Sequence, residues 1–187
     1  MEIETGYCYH LYNRSNAGEI VFKIPDNYRH FLKQYRQHLA NHFETLAYCL
    51  MPTHFHLMVR VKTEDIDKAR DKVGIWLSSY TKALNKQIGR HGSLFQHHTR
   101  ALLVDNDPYL LTLGTYIHQN PVRARLVKRL EDWPYSSYPD LIGLRRGTLP
   151  SHEFVENYFP DTAAFRKYSE TMLKEIDAKY WVDKRNK

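Results

Sequence analysis

Two β-favouring runs, FETLAYCLM from Phe43 to Met51 and HFHLMVRV from His54 to Val61, are separated only by Pro52 and Thr53. A parallel pairing would need a crossover of about a dozen residues or more, so a two-residue link forces an antiparallel hairpin. The fold must be built around that hairpin. Because successive side chains of a strand alternate in direction, His54 and His56 point to one side of the sheet, and Phe55, Leu57 and Val59 to the other.

The flanking text extends this start. YCYHLYNRS predicts a first strand over residues 6 to 13, with Tyr7, Tyr9 and Leu11 on one face and Cys8, His10 and Tyr12 on the other. A short extended piece is expected at Ile20 to Phe22. Asp26 is then placed to cap a helix whose apolar positions Tyr28, Phe31, Leu32, Tyr35 and Leu39 recur at helical spacing. After the hairpin, Ile66, Ala69, Val73, Trp76, Leu77, Tyr80, Leu84 and Ile88 mark a long helix that stops at Gly89 to Gly92, with Lys68, Lys72, Lys82 and Lys86 on its polar face. TRALLVD reads as a fourth strand. Asp107 and Pro108 open a further helix, expected to run to about Asn120, where Pro121 discourages continuation. The order β-α-β-β-α-β-α is the α+β, ferredoxin-like split arrangement with one added helix. Beyond Trp133 the chain reads as loop, and residues 151 to 180 as short helices packed through Phe154, Phe159, Phe165 and Tyr168.

With 187 residues and 42% hydrophobic content the chain suits one core rather than two. No run approaches the roughly 18 apolar residues of a membrane span, and the N-terminus lacks a signal peptide's basic start and apolar run, so a cytoplasmic location with no membrane partner is expected. Cys8 and Cys49 sit inside apolar runs, away from metal-ligand spacing, and are expected as buried reduced thiols. A net charge of +6, with 27 Lys and Arg beside 14 Tyr and 8 Phe, suits a polyanion carrying unpaired bases, although most of the aromatics are needed in the core.

Two imidazoles on one sheet face form a natural pair of metal ligands. The pattern alone is weak, because 11 histidines in 187 residues give a His-x-His by chance roughly half the time. A second element strengthens it. In GTYIHQNPVRARLV, Tyr116 and Asn120 are one helical turn apart and share a face. An amide oxygen from Asn120 beside His54 and His56 suits Mg or Mn acting on a phosphate. Tyr116 would be the nucleophile: attack by a side-chain oxygen keeps the phosphodiester energy in a covalent link, so the strand can be rejoined, whereas water would simply cut. Phosphate contacts are expected from Asn13, Arg14, Lys82, Lys86, Arg100, Arg123 and Arg125. His97 and His98 are weaker candidates.

MPTHFHLMVR and YIHQNPVRARLV, in this order, resemble the signature segments of the REP-associated tyrosine transposases, within the HUH single-tyrosine superfamily. YHLYNRS, DNDPYLLTLGTYI and DWPYSSY extend the resemblance over residues 7 to 140. It implies a catalytic domain over 1 to 140 with a C-terminal extension over 141 to 187. It also implies cleavage of single-stranded, hairpin-forming repeat DNA through a 5′-phosphotyrosine, by a monomer or homodimer. His54 and His56 match the family's metal-binding histidines, Tyr116 its nucleophile and Asn120 its polar ligand. Thr53 departs from the asparagine usual there, and FQHHTR from the usual basic aromatic segment. Two other readings remain open: a domesticated protein that binds repeats without cutting them, and a phosphoesterase that uses water.

Overall fold

The computed structural model describes residues 1–171. Four strands, β1 (Cys8–Arg14), β2 (Phe43–Met51), β3 (His54–Val61) and β4 (Arg100–Val104), form one antiparallel sheet in the order β2-β3-β1-β4. The two-residue hairpin is present, with Met51 opposite His54. Its turn is fixed from outside: the Pro52 carbonyl accepts hydrogen bonds from the backbone N–H groups of Val21 (2.7 Å) and Phe22 (3.2 Å), and that of Thr53 from Ser15 (2.8 Å). The stretch from Ile20 to Phe22 therefore serves as a brace for this turn and is not a strand.

Both faces of the sheet are covered. On the side of Phe55, Leu57 and Val59 lie α1 (Pro25–Leu39) and α2 (Ile66–Ile88), which meet through Phe31, Tyr35, Trp76 and Tyr80. On the side of Ala47, Cys49 and Met58 lies α3 (Asp107–Arg123), backed by α4 (Tyr138–Leu141), α5 (Glu153–Tyr158) and α6 (Thr162–Glu170). Phe154 and Phe165 are buried in this second layer, while Phe159 is half-buried and Tyr168 exposed. The remainder of the predicted helical stretch, residues 172 to 180, lies outside the described residues. No described helix is long and apolar enough to cross a membrane. Cys49 is buried as expected, Cys8 only partly, and both are free thiols.

Three boundaries differ from the sequence expectation. The first helix starts at Pro25, with Asp26 inside its first turn and ion-paired to Arg29. The capping oxygen comes from Asn27, whose Oδ1 accepts from the N–H groups of Lys23 (3.0 Å) and Ile24 (3.2 Å). The third helix is capped by Asn106, whose side chain accepts from the Tyr109 N–H at 2.9 Å, and it continues through Pro121 to Arg123. Proline there removes a single N–H, the one that would reach Ile117. The Asn120 and Pro121 carbonyls still receive the N–H groups of Ala124 and Leu126, each at 2.9 Å. Finally, the text after Trp133 is more than loop. Leu50 N–H donates to the Tyr135 carbonyl and Ser137 N–H to the Tyr48 carbonyl, each at 2.9 Å, so this segment covers the outer edge of β2.

Candidate active site

Directly opposed residues of an antiparallel pair share a face, so the register determines what surrounds the two histidines. Arg14 lies opposite His54 and Tyr12 opposite His56; on the far side of β1, Arg100 lies opposite Tyr12. Arg14, Tyr12, His10 and Arg100 thus join His54 and His56 on the face that α3 covers.

The imidazoles are held by their Nδ1 atoms. His54 Nδ1 lies 3.0 Å from Thr53 Oγ1, and His56 Nδ1 lies 2.9 Å from Nε2 of His10. The His54 and His56 rings are edge to face with centroids 4.9 Å apart, while His10 and His56 are stacked at 5.1 Å. His10 is wholly buried and His56 nearly so. Burial holds His10 down to about 3, and burial, followed by the neighbouring His54 and His10, holds His56 well below the usual imidazole range. Both rings are therefore neutral at pH 7, the state a metal ligand requires. His56 Nε2 is buried with no hydrogen-bond partner among the described residues.

From the other side, α3 brings Tyr116, 2% exposed, edge to face against His56 with ring centroids 5.6 Å apart. One turn on, Asn120 donates its Nδ2–H to the Tyr116 carbonyl at 2.8 Å, which orients the amide and leaves Oδ1 as its acceptor. Among the described residues no group of three or more His, Cys, Asp or Glu could hold a metal ion, and the third donor expected from the sequence is an amide oxygen, that of Asn120. Two imidazoles, one of them neutral with an orphaned buried nitrogen, and one amide oxygen fit a divalent cation that keeps open positions for phosphate oxygen.

The other predicted contacts divide. Arg14 is half-buried and Arg100 exposed, both on the site face. Asn13 is turned inward and committed. Its Nδ2 donates to the Gln96 carbonyl (3.1 Å) and Thr99 Oγ1 (3.0 Å), and its Oδ1 accepts from the Arg14 N–H (2.7 Å). It pins the approach to β4. Lys82 and Lys86 are exposed on α2, in the layer across the sheet. Lys82 lines an open cleft of about 610 Å³ with Asn13, His97 and His98. Arg123 is held by Gln119 Oε1 at 3.3 to 3.4 Å, and Arg125 is exposed just beyond α3 at φ 58°. Sequence reasoning missed His10. Alternation already paired it with Tyr12 on one face, but no local signal gave the β1–β3 register that sets it against His56.

No protein-family model matches the chain. Over 125 residues it is 29% identical to a Haemophilus influenzae protein named as a candidate REP-associated tyrosine transposase, covering 62% of this chain and 70% of that one. In fold it matches a solved REP-associated tyrosine transposase bound to a REP hairpin, with a TM-score of 0.56 and 20% identity over 73% of this chain and 79% of that one. The chain is thus similar in sequence to one protein named as a REP-associated tyrosine transposase and shares the fold of another.

Proposed function

We propose that the chain is a metal-dependent strand transferase for single-stranded, hairpin-forming DNA, with Tyr116 as nucleophile and His54, His56 and Asn120 as the metal's protein ligands. The observation that carries this reading is the Tyr116 ring packed against His56, with Asn120 one turn along the same helix. Tyr116 Oη loses its proton and forms a bond to phosphorus. The P–O3′ bond breaks, and the departing oxygen takes up a proton to become a free 3′-hydroxyl. The product is a 5′-phosphotyrosine, and attack by a 3′-hydroxyl on this link reverses the step. A bound Mg or Mn would polarise the phosphate and offset the developing charge. His10 and Thr53 hold the two imidazoles in place, while burial of Tyr116 keeps the link away from water, which would otherwise hydrolyse it. Arg14 and Arg100, on the same face, are placed to hold the flanking phosphates. Hairpin DNA as the partner is supported by the solved relative, which is bound to one.

The test is a covalent adduct. With hairpin-bearing single-stranded DNA and Mn or Mg, the wild type is expected to form a denaturation-resistant protein–DNA species that Tyr116→Phe does not form. Binding without an adduct across several repeat sequences would return the reading to a DNA-binding module. Cleavage that survives Tyr116→Phe but not His56→Ala would instead indicate hydrolysis by water.

A further inference from the structure

Two residues past the proposed nucleophile, α3 carries His118, a wholly buried polar side chain for which the chemistry above has no use. Its Nε2 lies 2.8 Å from Oγ of Ser137, which is equally buried. That hydroxyl also lies 2.8 Å from the Tyr48 N–H, which donates to it, and 3.3 Å from the Tyr48 carbonyl. A serine hydroxyl has one proton to give and two lone pairs. If His118 carries its proton on Nε2, Ser137 accepts from both His118 and the Tyr48 N–H and donates to the Tyr48 carbonyl, and every proton in the cluster is used. With the opposite tautomer, an Nδ1–H would be buried at a position with no hydrogen-bond partner among the described residues. His118 is therefore the donor.

The bond joins two parts of the site. Tyr48 is followed by Cys49, which sits opposite His56 in the β2–β3 register. At about 100° per residue, His118 lies about 200° round α3 from Tyr116. The helix is thus in contact with His56 through one side and fastened to the strand beside His56 through the other. Among the described residues the rings of Tyr138 (5.4 Å) and Phe165 (6.2 Å) also pack near His118, filling space but giving no direction. Gln119, next along, donates to the carbonyls of Ser169 (2.8 Å) and Thr171 (3.0 Å) and tethers α3 to the end of α6.

We propose that the His118–Ser137–Tyr48 bridge sets the rotation of α3, making His118 and Ser137 positioning residues for attack by Tyr116. This rests on the strand-transferase reading for its consequence, though the positional effect can be measured without it. In the full chain, Ser137→Ala and His118→Leu are expected to slow single-turnover adduct formation by about 10- to 100-fold while leaving hairpin affinity within about twofold, since a misplaced nucleophile costs rate rather than binding. Ser137→Thr, which keeps a hydroxyl, and His118→Gln, whose Nε2–H stands where the imidazole's does, should recover most of the loss. A second readout needs neither metal nor DNA. Nitration of Tyr116 by tetranitromethane, followed by peptide mass spectrometry, should be faster in Ser137→Ala and His118→Leu than in the wild type. Unchanged rate and nitration, equal behaviour of the Gln and Leu variants, or a rate that falls only as far as affinity does would each overturn the proposal. If the wild type forms no adduct, the strand-transferase reading fails and nitration alone decides the positioning. Should Ser137→Ala and His118→Leu not fold, Ser137→Cys, close to serine in volume, and His118→Met, close to histidine in volume, weaken or remove the bond, and the same order is expected of them.

Discussion

The side chain that most shapes the candidate metal site is one that would not touch the metal. His10 Nε2, 2.9 Å from His56 Nδ1, fixes that ring, which packs edge to face against Tyr116. Ligation through Nε2 requires the His56 proton on Nδ1 with His10 Nε2 accepting it, a tautomer that puts the His10 proton on a buried Nδ1 with no hydrogen-bond partner among the described residues and so has to be favoured by the metal. Replacing His10 with leucine, which fills similar volume, should weaken Mn binding by about 10- to 100-fold, as loss of an outer-shell partner does. Isothermal titration of the purified protein measures this directly; an unchanged affinity would mean that β3 alone orients His56. Of the site residues, Tyr116 and Asn120 could be read from helical period, and His54 with His56 from strand alternation, because both periods are local. His10 could not. Its role depends on which residue of a strand more than forty positions away stands opposite it, and that is decided by packing of the whole sheet.

At the scale of elements, α3 is held as tightly at its middle as at its ends. A Cβ on Gly114 would come 2.6 Å from Cζ and 3.1 Å from Cε1 of Phe154 in α5. Phe154 is itself buried against Phe165 and Phe159, so the ring has little room to give. Gly114→Ala would gain about 1 kcal/mol in helix propensity but cost about 1–3 kcal/mol in overpacking, and net destabilisation of about 1 kcal/mol is expected by urea denaturation. In a Phe154→Leu background the same change should turn neutral or stabilising; if its cost persists there, the contact is not its cause. The hairpin was legible from two residues, since chain geometry permits no other pairing. The end of α3 was not. Proline is a sound local stop signal, but here it falls in the last turn of a helix buried on every side, where tertiary contacts outweigh one missing hydrogen bond. The edge cover over β2 was invisible for a related reason: Tyr135, Ser136 and Ser137 have no strand-like pattern and pair only because β2 offers them a row of unpaired groups.

For the molecule as a whole, enclosing neutral histidines links stability to pH. His10 and His118 are both pushed by burial to about 3, and His56 moves the same way. In the unfolded chain each titrates near 6.5. Above that value folded and unfolded forms are both neutral, and the full stability is present. Below it the unfolded chain binds protons that the fold refuses, so stability falls as pH drops from about 6.5 toward 3, by about 1.4 kcal/mol per pH unit for each of His10 and His118. By pH 5 these two would each remove about 2 kcal/mol, a large share of the 5–15 kcal/mol typical of a domain, and His56 acts in the same direction. The metal-free protein, kept so with a chelator, should show this loss in urea denaturation between pH 7 and 5, and His118→Gln or His10→Leu should each flatten the slope by one histidine's share. Saturating Mn should raise stability at pH 7, through binding energy that the unfolded chain lacks, but steepen the loss toward pH 5, because ligation holds His54 and His56 neutral in the fold while the unfolded chain still takes up their protons. A slope unchanged in both variants would show that other groups carry the acid sensitivity, and that the buried His10 and His118 contribute little to it.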